Sequence, residues 1–247
     1  ALIFSALLAN PVDLASDWAL MVAGVAIILL PGLLLWFVRP AAVNRPAFLM
    51  TGMFRNTGNM GIPLLVLAYG KEVLGDIIVL FVISNTLHFS VGIWLISRSS
   101  GSWGWLRNPN VWAGVLGVTL APVREQIPLF IQTTVDMLGQ VSIPLMLFSL
   151  GVRMASGRIS QLGLAVRINL LYLVAGLLSV TLIVLVLPLS PLWIKMLVVS
   201  AALPPAVLNY LLSEQYRADT DTVASVVLLG NLLAVVVMPL VIALTLI

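Results

Sequence analysis

The sequence predicts an all-α integral membrane protein with two broken helices, and three observations carry that expectation. Of 247 residues, 61% are hydrophobic and 9% charged, with a mean hydropathy of +1.15. A soluble domain carries about 25% charged residues, so a chain this apolar cannot hide its surface from water by folding alone. The apolar residues also fall into long runs with brief polar turns between them, and a bilayer crossing takes about 20 residues. Finally, the polar, glycine-rich string Phe54-Arg55-Asn56-Thr57-Gly58-Asn59-Met60-Gly61-Ile62-Pro63 interrupts one run, and Leu203-Pro204-Pro205-Ala206 interrupts another. Lipid cannot satisfy open backbone groups, so such breaks persist at membrane depth only within protein or beside a water-filled cavity.

Taken in order, Ala1–Leu8 reads as the tail of a helix, because it lacks the basic n-region of a signal peptide and an initiator Met. Trp18–Val38 is a full crossing with Pro31 as a kink. Ala47–Tyr69 contains the first break, and Pro63 is expected to create it. Leu74–Ile96 follows, opened by Asp76 at the positive end of the helix dipole. Pro109–Ala121 is short, and Phe130–Met154 carries Pro144 as a second kink. Leu162–Leu187 is uninterrupted, Leu192–Leu212 holds the second break at Pro205, and Thr222–Leu246 follows Asp221. These runs are too long and too uniformly apolar for barrel strands, which leaves helices. The seven Trp (18, 36, 94, 103, 105, 112 and 193) fall near helix ends or in loops, the usual interfacial placement.

Composition excludes several classes of function. There is no cysteine and one histidine, so no metal site is expected. The basic residues are scattered singly, which argues against nucleic acid despite the net charge of +3. Gly70-Lys71 is not a phosphate loop, because Leu65 stands where a glycine is required and Glu72 where Ser or Thr is required. No Ser-His-Asp, paired-carboxylate or zinc-protease pattern is present, so neither an enzyme nor a cofactor is expected.

Orientation follows from basic residues in the loops. Arg39, Arg45, Arg98, Arg107, Arg153, Arg158 and Arg217 share one side, against Lys71, Arg124 and Lys195 on the other. The first side is therefore expected to be cytoplasmic. An internal repeat is visible as well. Leu2-Ile3-Phe4-Ser5 echoes Met146-Leu147-Phe148-Ser149 at an offset of 144, Pro63 echoes Pro205 at 142, Asp76 echoes Asp221 at 145, and Asn85 echoes Asn231 at 146. An odd number of crossings per repeat inverts the second copy, and paired broken helices in inverted repeats are the signature of a secondary transporter. The expected organisation is a first repeat over 1–97, a cytoplasmic linker over 98–108 and a second inverted repeat over 109–247. The first repeat is short by about one and a half helices of that architecture, so an N-terminal truncation is expected.

The residues Asn56-Thr57-Gly58-Asn59-Met60-Gly61-Ile62-Pro63-Leu64-Leu65, with Tyr69-Gly70 after them, look like the fourth-helix motif of the auxin efflux carrier family. That family includes plant PIN-type carriers and short bacterial permeases for small dicarboxylates. Ile143-Pro144-Leu145-Met146-Leu147-Phe148-Ser149-Leu150-Gly151 resembles its seventh helix, and Ala202-Leu203-Pro204-Pro205-Ala206 with Glu214-Gln215-Tyr216 resembles its ninth. The likeness covers nearly the whole chain. It implies inverted five-helix repeats in a bile-acid-transporter-like fold, with two discontinuous helices crossing near mid-membrane beside an anion site. The first helix and most of the second are missing relative to that pattern. The short 97–108 loop lacks the long insert of many plant members, so the chain looks more like a permease of a bacterial inner membrane.

The candidate substrate-binding residues are Asn56, Thr57, Asn59, Gly61, Pro63, Asn85, Pro204, Pro205, Asn209 and Tyr210. Asn56 and Asn59 lie three apart, on one face if the helix continues. Their amides, with backbone N–H groups freed near Gly58 and Gly61, suit a carboxylate at a positive helix end. By the resemblance, Asn56 matches the family asparagine implicated in substrate binding. Asn209 and Tyr210 follow the second break by about one turn, while Asn85 and Asn231 either line the cavity or bridge helices. The coupling candidates are Asp136, His88 and Arg55. Asp136 is the one acid well inside an apolar run, unless it faces water near the outer end of its helix. His88 is a proton relay or, the favoured reading, a hydrogen-bonded structural histidine. Arg55 is a cationic partner for an anionic substrate or, the favoured reading, snorkels to the cytoplasmic interface, as Arg167 does.

The expected function is alternating-access transport of a small organic anion. The implied partners are that anion, the lipid bilayer, a proton or sodium as coupling ion, and a second copy in a homodimer. The alternatives are a sodium-coupled carrier of the bile-acid type and a non-transporting membrane sensor.

Overall fold

The computed structural model describes residues 17–38, 43–97, 109–156 and 159–246, together with residues 1, 4, 5, 8 and 40. The expected linker 98–108, with its Arg98, Arg107, Trp103 and Trp105, lies outside the described residues, as do Arg39, Arg158 and most of Ala1–Leu8. All regular structure among the described residues is helical. The elements are α1 (Trp18–Trp36), α2 (Arg45–Met53), α3 (Ile62–Tyr69), α4 (Leu74–Ile96), α5 (Pro109–Leu120), α6 (Leu129–Ser156), α7 (Leu162–Val186), α8 (Pro191–Ala202), α9 (Val207–Gln215) and α10 (Thr220–Leu246). Among the described residues, α1, α4, α7 and α10 are long and apolar enough to cross a membrane, which makes this an integral membrane protein.

The two half-helix pairs start and stop for local reasons. Asn44 caps α2, its side-chain oxygen accepting from the Ala47 N–H at 3.2 Å, and Pro46 sits in the first turn, where no N–H is needed. Ser190 caps α8 in the same way, accepting from the Trp193 N–H at 3.2 Å with Pro191 next. These caps start both helices slightly before the apolar runs. α3 ends at Gly70, whose φ of +91° is a left-handed conformation that a side chain would strain. Two π-helical turns, Thr57–Gly61 ahead of α3 and His88–Gly92 within α4, were not foreseen from periodicity. Such turns leave local backbone groups off-register and concentrate at functional positions.

One expectation needs correcting. Pro63 does not create the first break: the chain leaves the helical region at Phe54 (φ −99°, ψ 108°), and Pro63 sits in the opening turn of α3, where proline is tolerated. The residue opposite Pro205 in space is Arg55, not Pro63.

α7 runs through the middle of the fold and packs on α1, α8 and α10. Its Tyr172 is fully buried and donates its hydroxyl to the Phe48 carbonyl of α2 at 2.7 Å. Tyr172→Phe removes that bond while keeping the ring against Phe48, and the expected loss is about 0.6–1 kcal/mol, read as a small fall in melting temperature in detergent. The ends of the bundle meet in two groups. At one end the Asn44 N–H donates to Asp219 at 2.9 Å and Ser160 bonds Ser225 at 3.1 Å. At the other the Trp193 indole donates to Asp76 at 2.8 Å and Tyr69 bonds Thr245. The loop before α2 thus meets the loop before α10, and the start of α4 meets the start of α8. Asp76 sits in the first turn of α4, as expected, and also ties α4 to α8. Arg167 is exposed on α7.

Candidate functional site

The two breaks lie against each other. Phe54 and Ala206 are extended, and the two broken segments pair antiparallel around Arg55 and Pro205. The Asn56 N–H donates to the Pro204 carbonyl at 2.8 Å, and the Ala206 N–H donates to the Phe54 carbonyl at 3.0 Å. Both bonds fall on residues flanking the Arg55–Pro205 pair, so the missing N–H of Pro205 is never called for. Two prolines can therefore stop α8 without orphaning a donor. Each broken helix supplies the backbone partners the other lacks, which is how irregular backbone survives away from water.

Asparagines complete the crossing. Asn209 donates to the Phe54 carbonyl at 2.9 Å. Asn231, from α10, donates to the carbonyls of Pro205 at 3.1 Å and Val227 at 2.8 Å. Asn56 donates to the Asn231 side-chain oxygen at 2.9 Å. The three are 3%, 0% and 2% exposed for Asn56, Asn209 and Asn231, so no bulk water competes for these groups. The side-chain N–H groups of Asn56 and Asn209 are thus already engaged. Asn231, left open between lining and bridging, is a bridge.

The other candidates have partners of their own or none among the described residues. Thr57 donates to the Ser84 hydroxyl at 3.3 Å. With Arg55, Ser84 and Ser200 it borders a cavity of about 20 Å³, room for roughly one water. Asn59, in the π turn, and Asn85, on α4, are half-buried, and among the described residues their amides make no hydrogen bond. Gly61 closes the π turn, its N–H donating to the Asn56 carbonyl at 3.0 Å. Pro204 and Pro205 contribute through their carbonyls. Tyr210 stands apart: its hydroxyl donates to Glu214 one turn onward at 3.2 Å, and its ring packs on Ala47, Val223 and Val227.

The coupling candidates separate clearly. Asp136 is exposed on α6, accepts from Gln140 at 2.9 Å and borders an outer groove with Arg124, so it is not at the crossing. His88 is there. Its ring stacks on Phe54 at 4.2 Å and 4°. It neighbours the Asn209 side chain, yet its Nε2 and the Asn209 Oδ1 are both buried without a hydrogen-bond partner in this geometry. His88 is thus held at the crossing by stacking on Phe54, beside the Asn209 side chain.

Arg55 corrects the favoured sequence reading. It does not snorkel: it is 9% exposed and donates inward to the carbonyls of Tyr172 on α7 and Leu203 at the second break. The guanidinium also lies 5.7 Å from the Tyr172 ring centre. Tyr172, Ser84, Ser200 and Asn169 were not foreseen as neighbours of the site. The available signal was weak, a single polar residue in an otherwise apolar helix, and many such residues only bridge helices.

The membrane transport protein family matches residues 93–242. Curated relatives agree. A protein of Rhizobium meliloti (strain 1021), provisionally named a malonate transporter, is 26% identical over 202 residues, 74% of this chain and 62% of that protein. A protein of Oryza sativa subsp. japonica, provisionally named auxin efflux carrier component 5b, is 28% identical over 138 residues, 51% of this chain and 36% of its own length. The uncharacterized transporter YfdV of Escherichia coli (strain K12) is 24% identical over 178 residues, 67% of this chain and 57% of its own. The chain thus spans less than two thirds of each of these three relatives.

Proposed function

Since this chain belongs to the membrane transport protein family, we propose that it is a secondary carrier of a small organic anion, a mono- or dicarboxylate, that works by alternating access. The likeness to auxin efflux carriers read from the Asn56–Leu65 string is borne out by the family and by the relatives, and the family is one of transporters, not enzymes.

The observation that carries the reading is the crossing of the two breaks. The pairing of Arg55 with Pro205 makes a rigid centre that belongs equally to two helical groups. Such a centre stays put while the groups rock around it, which is the geometry that alternating access needs. On this reading residues 1–97 and 109–247 are inverted repeats joined by a linker over 98–108, in a bile-acid-transporter-like arrangement of a bacterial inner membrane.

Roles divide by whether a side-chain donor is already engaged. Asn56, Asn209 and Asn231 hold the crossing, while Asn59 and Asn85, whose amides make no hydrogen bond among the described residues, would meet a carboxylate together with the N–H groups of Gly58 and Asn59 in the π turn before α3. Electrostatics favours an anion there, since a half-helix N-terminus carries about half a positive charge. A proton or sodium serves as coupling ion. Malonate is the natural first probe, given the name of the Rhizobium relative.

The test is counterflow of labelled malonate in proteoliposomes holding the full-length protein. Saturable exchange above protein-free liposomes is expected, and its absence from folded protein removes malonate and shifts weight to another anion. Asn59→Ala and Asn85→Ala are each expected to raise the half-saturating concentration about tenfold, the worth of one hydrogen bond to a charged group. Unchanged values in both would take these two amides out of the site.

A further inference from the structure

We propose that Arg55 is the charge-selecting residue of the carrier, its buried guanidinium balancing the substrate carboxylate across a cavity between α7, α10 and the second break. This rests on the anion-carrier reading and adds to it a second anion-facing position, in a cavity whose lining does not include Asn59 or Asn85.

A guanidinium does not lose its proton, and burying its charge is costly unless a counter-charge or good hydrogen bonds offset the cost. The bonds described here go to two carbonyls, of Tyr172 and Leu203, and none goes to a carboxylate. The fork carries more N–H donors than those two carbonyls take up. Helix packing alone does not call for a cation at the crossing, because the asparagines already satisfy the paired backbone there.

The guanidinium also borders open space. A cavity of about 310 Å³ is lined by Arg55, Asn169 and the paired prolines, with apolar walls from Leu173 and Leu233. Asn169 is the second polar side chain on that wall, and its amide is turned to the carbonyls of Ala165 and Val226. With the Asn169 donors taken up, Arg55 is the one group on this wall that favours an anion, and a cavity with one fixed cation and otherwise apolar walls suits a short carboxylate over a neutral molecule of the same shape. On its other side Arg55 borders the small cavity with Thr57, Ser84 and Ser200. That second space has room for about one water, so the larger cavity is the one that could take the anion.

Equilibrium binding to the full-length protein in detergent tests this, with malonate and its uncharged isostere malonamide as competing probes. Wild-type protein is expected to prefer malonate by at least ~100-fold; equal competition overturns the proposal without any variant. Arg55→Gln is expected to weaken malonate at least ~30-fold and to leave malonamide unchanged, whereas Arg55→Lys keeps malonate within ~10-fold. A folded Arg55→Gln protein that binds malonate like the wild type shows that the guanidinium is only a strut between α7 and the second break. Should that variant not fold, the wild-type preference and the Lys variant decide. Exchange of malonate that persists in folded Arg55→Gln sinks charge selection alone, while absence of malonate exchange in the wild type sinks the carrier reading first.

Discussion

Asn231→Ala is expected to abolish malonate exchange and to destabilise the protein by about 2–4 kcal/mol. The side chain touches both broken helices at once: it accepts from Asn56 and donates to Pro205. Removing it orphans the Asn56 amide and strips the Pro205 carbonyl of its side-chain donor, at a place 2–3% exposed where water cannot replace either. Each buried polar group left unpaired costs about 1–3 kcal/mol, reduced somewhat where a helix in lipid finds other partners. The functional loss is expected to be larger than the stability loss, at least ~100-fold in rate, because a shift of about 1 Å at a binding centre has effects of that size. Melting in detergent and counterflow in liposomes measure the two separately. Exchange above a tenth of the wild-type rate would mean the crossing tolerates the loss and is not the rigid centre described here.

Gly176→Val is expected to prevent accumulation of folded protein. A Cβ at this position of α7 meets the Ala201 carbonyl oxygen at 2.7 Å and an Arg55 guanidinium nitrogen at 3.2 Å. The first obstacle is backbone, which cannot rotate away, and it lies just before the second break. Relief requires α8 to move off α7, which pulls Leu203 from Arg55 and loosens the paired breaks. Overpacking in a close-packed core costs about 1–3 kcal/mol, and the paired segment adds the loss of its own bonds. Gly163→Val is the control, since nothing lies within 4 Å of a Cβ there on the same helix. Yield and monodispersity after detergent extraction report the difference. Equal recovery of the two variants would show that α7 and α8 have slack at this contact.

How far the site was legible differs residue by residue. Both breaks were visible because polar and proline residues are conspicuous against apolar runs. Asn56 and Asn209 were visible for the same reason, yet their work was not: a free amide and one bound to Phe54 or Asn231 look alike in a sequence. Arg55 was misread because distance from a helix end suggests snorkelling, whereas the helix in fact stops at Met53 and turns the side chain inward. Asp136 drew notice as an acid in an apolar run, but the run gives no facing, and α6 presents it outward.

The order of the helices, their approximate limits and the existence of two breaks were determined by the residues alone. Lipid makes these properties local: a segment is either apolar enough to span or it is not, and a proline or glycine marks its own position. What faces what was decided only by the tertiary structure. The pairing of Arg55 with Pro205 joins positions 150 residues apart, and the Asn56–Asn231 bond joins positions 175 apart. No periodicity encodes such contacts, because they depend on how whole helices lean on α7. The charge on Arg55 is a property of the chain; its burial beside a cavity, and so its place in the proposed mechanism, is a property of the packing.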